Sequence, residues 1–430
     1  MKITELYIYP IKSLHPLSVP RTRLRREGLE HDRRFMLLKV LSDDQNSYKP
    51  IQTALFPECT LFHQAIDGGD IVVTYHTPAE PLFPPVPEQR TALRVPLAPD
   101  VGVSGMETVD VELMGSATTA YRMGGRYDEW FSACMGYETI LVYIGDQGRG
   151  VLAHTPSGNA GPRPKQQQQQ QKSWFSSITS YITGSGDGPG RDGKGHRKDN
   201  WLTFNECAPF LLTSQASLRD VSARLPEGEA MDMIKFRPNI VVDSSPTPSS
   251  STSPPATSSE NSSEAGGSQD SQKQRPEEAE ELKPWDEDFW AEVTVLSAAG
   301  TSQSNDKHAS PQPHRLALTA NCARCISINI DYGTGRPALG EQGSVLKKLM
   351  RDRRVDAGNK WSPIFGRYAF LLPPSSPRGG AGDHEGTGGG DDEDGGEYGD
   401  DELAVDIAVG DEVTVTRRIA DRDVWAWPKV

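Results

Sequence analysis

Two cysteines that lie three residues apart are the first candidates for chemistry. They are Cys322 and Cys325, in the stretch NCARCISINIDYGTG at 321–335. Cysteines at this spacing bind zinc or form a redox pair. Zinc needs further ligands, and the sequence contains no second CxxC and no HExxH or HxH pattern. A thioredoxin-type pair belongs at a strand-to-helix junction, whereas this pair precedes a predicted strand. The pattern favours thiols that pack in the interior.

Cationic and polar side chains at the ends of predicted strands form a second set. The set lies in three motifs, YPIKS at 9–13, HDRRF at 31–35 and FRPNIVV at 236–242, which contribute Lys12, Ser13, Arg33, Arg237 and Asn239. Gathered in one cleft, these groups would suit a phosphorylated ligand, because arginine donates to phosphate in a fork and lysine supplies a point charge. Ordinary polarity at strand ends is the alternative interpretation of each motif, since the sequence pattern does not show whether they meet.

The elements that would position these groups are mostly strands. Apolar alternation between turn signals predicts strands in KITELYIYPI, RRFMLLKV, DIVVTYH, TVDVELMG, ETILVYIG, KFRPNIVVD, FWAEVTVLSA and HRLALTANCARCISINID. The segment AVDIAVGDEVTVTRRI predicts two more strands joined by a Gly-Asp turn. Short helices are predicted at YDEWFSACMG, after Ser214 as an N-cap, and in GSVLKKLMRD. Short strands with turns at this spacing are typical of a barrel or a sandwich.

Segments of biased composition divide the chain. They include six consecutive glutamines at 166–171, a Ser/Thr/Pro-rich stretch and a stretch rich in glycine and acids. Such compositions bury too little apolar surface to offset the entropy of ordering. We therefore predict a first domain at 1–145, a disordered insertion at 146–199 and a second domain at 200–430. The second domain would contain further disordered insertions at about 244–280 and 374–402.

The formal net charge of −14 is unevenly distributed. Residues 381–402 carry ten acids and no Lys or Arg, and residues 276–288 carry seven acids and one Lys. These runs contribute −10 and −6, so the rest of the chain sums to about +2. We interpret the acidic runs as solvated tails or loops. The remainder suits a small anion, and we see no broad basic face for nucleic acid.

Cysteine usage and hydropathy bear on the compartment. The cysteine count is odd, at five, and Met1 leads directly into a strand-like run without a secretory signal. We therefore expect free thiols in an intracellular, reducing compartment, with the cytoplasm as the first choice and a mitochondrial association as the alternative. No apolar stretch approaches the ~20 residues of a membrane span, so no membrane span is predicted.

Six stretches together resemble the MOSC family, which is named after the C-terminal domain of molybdenum cofactor sulfurases. They resemble most the branch that includes the mitochondrial amidoxime-reducing component. The stretches are YIYPIKSL at 7–14, HDRRFMLL at 31–38, ECAPFLLTSQASLRDVSARL at 206–225, FRPNIVV at 236–242, NCARCISINID with TG at 321–335, and SPIFGRYAFL at 362–371. They occur in the order that the family has.

The resemblance implies a mainly β fold with a few helices. It also implies an N-terminal β-barrel domain, a MOSC β-barrel and a molybdenum cofactor (molybdopterin) bound between them. By position, Lys12, Ser13 and Arg33 correspond to the cofactor's anion-binding group, and Arg237 and Asn239 to further cofactor contacts. Glu206, Cys207 and Ala208 correspond to a turn that faces the pterin, and Arg324 lies near the cofactor.

One departure concerns the metal. In the amidoxime-reducing branch, a cysteine that ligates molybdenum lies between the CxRC stretch and SPxFG. Here that interval holds no cysteine, and Asp352 falls at or near the position. A carboxylate is a harder, less electron-donating ligand than a thiolate. Cys207 and Cys325 are the alternative ligands.

The resemblance implies an oxidoreductase that reduces small N-oxygenated compounds. No cysteine follows Cys325, so the chain has no place for the iron–sulfur domain of bacterial relatives, and electrons would come from a separate protein. It also has no room for the pyridoxal-phosphate domain of the sulfurases proper. The alternatives are a cofactor carrier or sulfur-transfer protein without substrate turnover, which loss of the thiolate favours, and a non-enzymatic interaction protein.

Overall fold

The computed structural model describes residues 1–41, 47–102, 105–156, 200–245, 281–297, 313–374 and 404–426, and the backbone of the strand at 158–159. The segments predicted as disordered insertions lie mostly outside these residues. Residues 146–156, which the sequence analysis places in the first insertion, are described and contain two short strands. The division into domains at 1–145 and 200–430 stays a prediction.

The regular elements are mostly short strands. In chain order, the strands are β1 (Lys2–Ile8), β2 (Leu17–Ser18), β3 (Arg21–Arg25), β4 (Gly28–Leu29), β5 (Phe35–Val40), β6 (Tyr48–Pro50), β7 (Phe62–Asp67), β8 (Asp70–Tyr75), β9 (Leu93–Pro96), β10 (Thr108–Leu113), β11 (Ser116–Arg122), β12 (Thr139–Tyr143), β13 (Arg149–Gly150), β14 (His154–Thr155), β15 (Gly158–Asn159), β16 (Trp201–Leu202), β17 (Phe210–Ser214), β18 (Ile240–Asp243), β19 (Trp290–Leu296), β20 (Pro313–Ala323), β21 (Ile330–Asp331), β22 (Arg336–Pro337), β23 (Ile364–Leu371), β24 (Val405–Ala408) and β25 (Glu412–Arg418). The α-helices are α1 (Gly125–Met135), α2 (Gln215–Ser222) and α3 (Val345–Leu349). Short 3-10 helices lie at Pro57–Leu61, Pro87–Arg90, Met233–Phe236, Asp286–Phe289, Ile326–Asn329, Gln342–Ser344 and Ala357–Asn359.

Seven strands close into one barrel, in the order β18-β17-β23-β20-β19-β25-β1. The closure is made by β1, which pairs antiparallel with β18 on one side and contacts β25 on the other. The first strand of the chain therefore completes a barrel whose other strands all follow residue 209. Inward-facing apolar side chains, among them Ile3, Phe210 and Trp290, fill this barrel.

A second, nearly closed barrel is built from the N-terminal part of the chain. Its two sheets have the orders β10-β11-β12-β5-β6 and β7-β8-β9. Phe35, Phe62 and Phe131 lie in one buried cluster, to which α1 also contributes Trp130. The predicted mainly β architecture with a few helices and two barrels is confirmed.

The start of the second predicted helix is also confirmed. The Ser214 hydroxyl accepts a hydrogen bond from the backbone N–H of Ser217 at 3.1 Å, as an N-cap does. The predicted strand through CARC is too long, however. The strand β20 ends at Ala323, because the backbone N–H of Arg324 donates to Pro363 and a 3-10 helix begins at Ile326.

The acidic run at 276–288 is not wholly a solvated loop, so that part of the sequence interpretation is wrong. Asp288 and Glu287 are fully buried at the entrance to β19. Asp288 accepts hydrogen bonds from Arg353 and Arg422, and Glu287 accepts one from the Ser214 hydroxyl. These partners are distant in sequence, which is why a local count of charges does not reveal them.

Glu287 should make the protein less stable at neutral pH than in mild acid. One of its carboxyl oxygens has no hydrogen-bond partner among the described residues, and burial raises the pKa of Glu287 to about 7. The unfolded chain therefore releases this proton more readily, and stability is lost as pH rises from about 4.5 through 7. Glu287→Gln should raise the free energy of unfolding at pH 8 by roughly 3 kcal/mol at most, and by much less at pH 5. Denaturant unfolding at both pH values checks this, and equal changes at the two pH values would contradict it.

Candidate functional site

Three cationic side chains from separate segments meet where the two barrels join. Lys12 lies just beyond β1, where its backbone N–H donates to Phe35 in β5 at 2.8 Å. Arg33 precedes β5, and Arg237 precedes β18, the strand that pairs with β1. Closure of the first barrel by β1 therefore brings these predicted residues together.

The ring of Tyr9 is the platform on which the two arginines stack. The guanidinium carbons of Arg33 and Arg237 lie 4.4 Å and 4.3 Å from the ring centroid. The buried Tyr9 hydroxyl donates to the carbonyl of Pro238 at 3.0 Å. Such cation–π contacts hold two like charges close to one another. Tyr9 lies in the YPIKS motif but was not predicted as a site residue.

The backbone at the cluster is strained. Ser13, His31, Arg33 and Arg237 have φ angles of 72°, 64°, 50° and 53°, values in the left-handed region that residues other than glycine rarely adopt. Each such residue costs on the order of 1 kcal/mol or more, and strain of this kind concentrates at functional sites. The four residues lie in the three motifs that the sequence analysis selected or directly beside them.

Asp32 and Asn239 hold Arg33 in position through buried hydrogen bonds. The Asp32 carboxylate is fully buried and accepts from the Tyr9 backbone N–H at 2.8 Å, from Asn239 at 3.1 Å and from Arg33. The Asn239 amide donates also to Tyr7 O and accepts from Arg33 at 3.3 Å and from Leu211 N–H at 3.2 Å. Because its amide is bonded to these protein groups, the Asn239 side chain orients Arg33.

Ser13 is likewise committed to the protein. Its buried hydroxyl donates to the Ile51 carbonyl at 2.8 Å. Its own carbonyl is 3.5 Å from the Arg237 guanidinium, which donates also to Leu14 O at 3.1 Å. The YPIKS motif therefore fixes the position of Arg237 through backbone carbonyls.

Lys12 is a buried ammonium beside one carboxylate. Only 4% of its side chain is exposed, and its Nζ donates to Glu206 at 3.2 Å. Burial lowers the pKa of Lys12 to about 8, against the opposing effect of Glu206. The charge of Lys12, and after it those of Arg33 and Arg237, lowers the pKa of Glu206. All three cations therefore act on the same exposed carboxylate.

Arg237 can donate a hydrogen bond to a further acceptor group. No described carboxylate pairs with it, and its buried Nη2 has no hydrogen bond of good geometry among the described residues. The buried hydroxyl of Tyr332 lies beside it and interacts with it, also without a hydrogen bond of good geometry. Burial raises the pKa of Tyr332 even though the Arg237 charge opposes this, so the hydroxyl is a neutral donor. Tyr332 lies in the NCARCISINIDYGTG stretch but was not predicted as a site residue.

The remaining predicted residues are buried outside the apolar cluster that fills the closed barrel. Arg324 donates to the carbonyls of Phe365 and Phe236, at 2.9 Å and 2.7 Å, and so ties the start of β23 to the 3-10 helix at Met233–Phe236. Ala208 and Cys207 are buried directly after Glu206. Burial, and then the Glu206 charge, raises the pKa of Cys207, which keeps its thiol protonated in the absence of a metal.

Cys322 and Cys325 differ in exposure. Cys322 is buried in the barrel wall, where desolvation raises its thiol pKa. Cys325 is half-buried, with its Sγ 3.2 Å from the Ser327 hydroxyl. All five cysteines are free thiols. In the described ranges, no three His, Cys, Asp or Glu side chains are grouped in a way that would hold a metal ion.

Asp352, predicted to fall at or near the position of the family's thiolate, faces the outer surface. Its side chain is 57% exposed, and its two oxygens accept from Arg224 at 2.6 Å and 2.9 Å. The carboxylate is therefore committed to an ion pair with the end of α2. Nothing in this geometry directs it toward Lys12 or Arg237.

The cluster fits an anionic group better than it fits a metal. Three cations meet two carboxylates, one of which is fully bonded to the protein, and the orphaned Nη2 of Arg237 offers a donor. A phosphate accepts such donors in several directions. Two buried thiols lie beside the cluster, Cys207 next to Glu206 and Cys59, whose Sγ is 3.3 Å from the Ser13 carbonyl, and burial raises the pKa of both.

The fold is that of a known class of protein. Residues 1–138 match the family model of the MOSC N-terminal beta barrel domain, and residues 199–255 match that of the MOSC domain. The chain therefore matches both domain models of the MOSC family, as its motifs predict. No helix within the described ranges is both long and apolar enough to cross a bilayer.

A comparison with curated proteins finds a relative whose name refers to the molybdenum cofactor. The chain is similar to the molybdenum cofactor sulfurase of Neurospora crassa, with 25% identity over 439 residues. The similarity covers 90% of this chain and 44% of the relative. The chain thus spans less than half of that protein's length.

Proposed function

We propose that this chain binds a molybdenum cofactor, with the phosphate of the pterin held by Lys12, Arg33 and Arg237. The observation that carries the proposal is that Arg33 and Arg237 stack on one buried tyrosine ring, while the buried Lys12 nearby pairs with the exposed carboxylate of Glu206. The name of the similar Neurospora protein supports the cofactor. The proposal covers binding at this cluster and assigns no geometry to the metal.

Each residue has a distinct part in holding such a ligand. Arg237 and Tyr332 supply donors, Lys12 supplies a point charge, and Arg33 supplies a charge whose direction is fixed by Asp32 and Asn239. The bound cofactor would supply the oxygen and electron exchange. The protein contributes orientation and a site that is preorganised by its strained backbone.

For the reaction we propose reduction of small N-oxygenated molecules, with electrons from a separate redox protein. Cofactor carriage or sulfur transfer is the second candidate. The pairing of Asp352 with Arg224 favours this second candidate, because it leaves that position without a soft ligand. Reduction of an N-hydroxylated probe by loaded protein and a chemical electron donor separates the two.

The binding proposal predicts that protein purified from a host that makes molybdopterin carries pterin at a substantial fraction of one per chain. The measurements are molybdenum by elemental analysis and pterin by fluorescence of its oxidised form. Protein from a host without molybdopterin synthesis is the control. Absence of both pterin and molybdenum from the competent host would contradict the oxidoreductase and the carrier proposals together.

A further inference from the structure

Glu206 is the most exposed side chain of the cluster. Its side chain is 47% exposed, whereas that of Lys12 is 4% exposed. In the described part of the chain, its carboxylate makes one hydrogen bond, the one from Lys12. The other carboxylate, Asp32, is completely buried and receives three donors. An entering anion can therefore exchange with Glu206 but not with Asp32.

The backbone beneath Glu206 is fixed, so that motion is restricted to its side chain. Arg149 is fully buried and donates to Thr203 O and Leu113 O at 2.8 Å each, and also to Asn205 O. The Asn205 amide donates in turn to Pro209 O at 3.0 Å. These bonds hold the segment on both sides of residue 206. A rotation about side-chain bonds is then enough to bring the carboxylate to Lys12 or release it to solvent.

We propose that Glu206 is a displaceable counter-ion, whose carboxylate occupies the anion position beside Lys12 and is expelled by the phosphate group of a ligand. The inference rests on the proposed function, since it assumes an anionic ligand at this cluster. Glu206 therefore weakens ligand binding, whereas a residue that contacts the cofactor would strengthen it. In the protein without ligand, Glu206 neutralises the buried Lys12 ammonium. A phosphate has to bind Lys12 more strongly than Glu206 does in order to displace it.

Removal of a competing carboxylate should strengthen ligand binding, whereas removal of a contact residue should weaken it. Glu206→Gln keeps the size and hydrogen-bonding capacity of the side chain but removes the competing charge. Inorganic phosphate should then bind about twofold to fivefold more tightly, the change expected for losing one half-exposed ion pair. Isothermal titration calorimetry of the full chain with inorganic phosphate at pH 7 measures this.

Two further variants assign the effect to this cluster. Glu107→Gln removes an exposed carboxylate that pairs with Arg122 at 3.3 Å, away from the cluster, and it should leave phosphate affinity unchanged. Lys12→Met should weaken binding and abolish the gain from Glu206→Gln when the two are combined. A gain that persists without Lys12 would place the phosphate elsewhere and overturn the inference.

The outcomes also separate this inference from the function on which it rests. Equal or weaker phosphate binding by Glu206→Gln would overturn the counter-ion role while leaving the anion site in place. Absence of binding to both proteins at millimolar phosphate would overturn the anion site itself. The same variant should carry at least as much pterin as the unmodified protein when both come from a molybdopterin-producing host.

Discussion

Arg237→Ala should purify with far less pterin than the unmodified protein. The guanidinium has an unused buried donor and no carboxylate partner among the described side chains. A charge-assisted hydrogen bond to a phosphate is worth roughly 1.5–3 kcal/mol, and its loss corresponds to on the order of 10- to 150-fold in affinity. Pterin per chain after identical purification measures the effect.

Arg237 also has a structural role, which the experiment has to separate from binding. It stacks on Tyr9 and donates to the Leu14 carbonyl, so some loss of thermal stability is expected. Arg237→Lys keeps the charge without the fork and should retain an intermediate amount of pterin. Arg224→Ala removes an arginine that pairs with Asp220 and Asp352, outside the cluster, and should retain all of it. Full pterin content in a folded Arg237→Ala protein would show that the site lies on other residues.

Asp288→Asn should be one of the most destabilising single changes in the chain. The carboxylate is completely buried and accepts from Arg353 at 2.8 Å and 2.9 Å and from Arg422 at 2.7 Å. The Arg353 side chain is itself 4% exposed and stacks on Trp285 at 3.9 Å. Removal of the negative charge leaves a buried guanidinium without compensation, which costs about 3–5 kcal/mol. Chemical denaturation at pH 7 measures the loss.

A surface pair supplies the matched control for this prediction. Asp406 pairs with Arg23 at 3.3 Å, with both side chains well exposed. Exposed pairs of this kind contribute about 0–1 kcal/mol, so Asp406→Asn should change the unfolding free energy only slightly. Similar losses in the two variants would mean that the Asp288 pair is hydrated and that the buried geometry is incorrect.

The sequence by itself determined which residues are able to act and most of the strands that carry them. Alternation of apolar side chains is a local property, so β1, β5 and β12 were predictable from short windows. The Ser214 N-cap was predictable for the same reason, since its partner Ser217 is three residues away. The types and order of the motifs also determined the family, and with it the expectation that Lys12, Arg33 and Arg237 serve one anionic ligand.

The pairing of distant strands was decided only by the tertiary structure. The segment AVDIAVGDEVTVTRRI contains two strands beside a tight turn, yet β24 pairs with β3 and β25 pairs with β19. In the same way, β1 joins β18 across more than 230 residues, and this brings Lys12 to Arg237. Hydrogen bonding between strands is nonlocal, and a pattern of side chains carries little information about which strand lies alongside.

Burial of charge was also decided by tertiary contacts. Asp288 and Glu287 belong to an acidic run that resembles a solvated loop, but both are buried. They are stabilised there by hydrogen bonds from Arg353, Arg422 and Ser214. Asp352, conversely, was predicted at or near the position of a metal ligand but pairs with Arg224 at the surface. The free energy of a charged group depends on which partners surround it in space, and those partners come from segments far away in the chain.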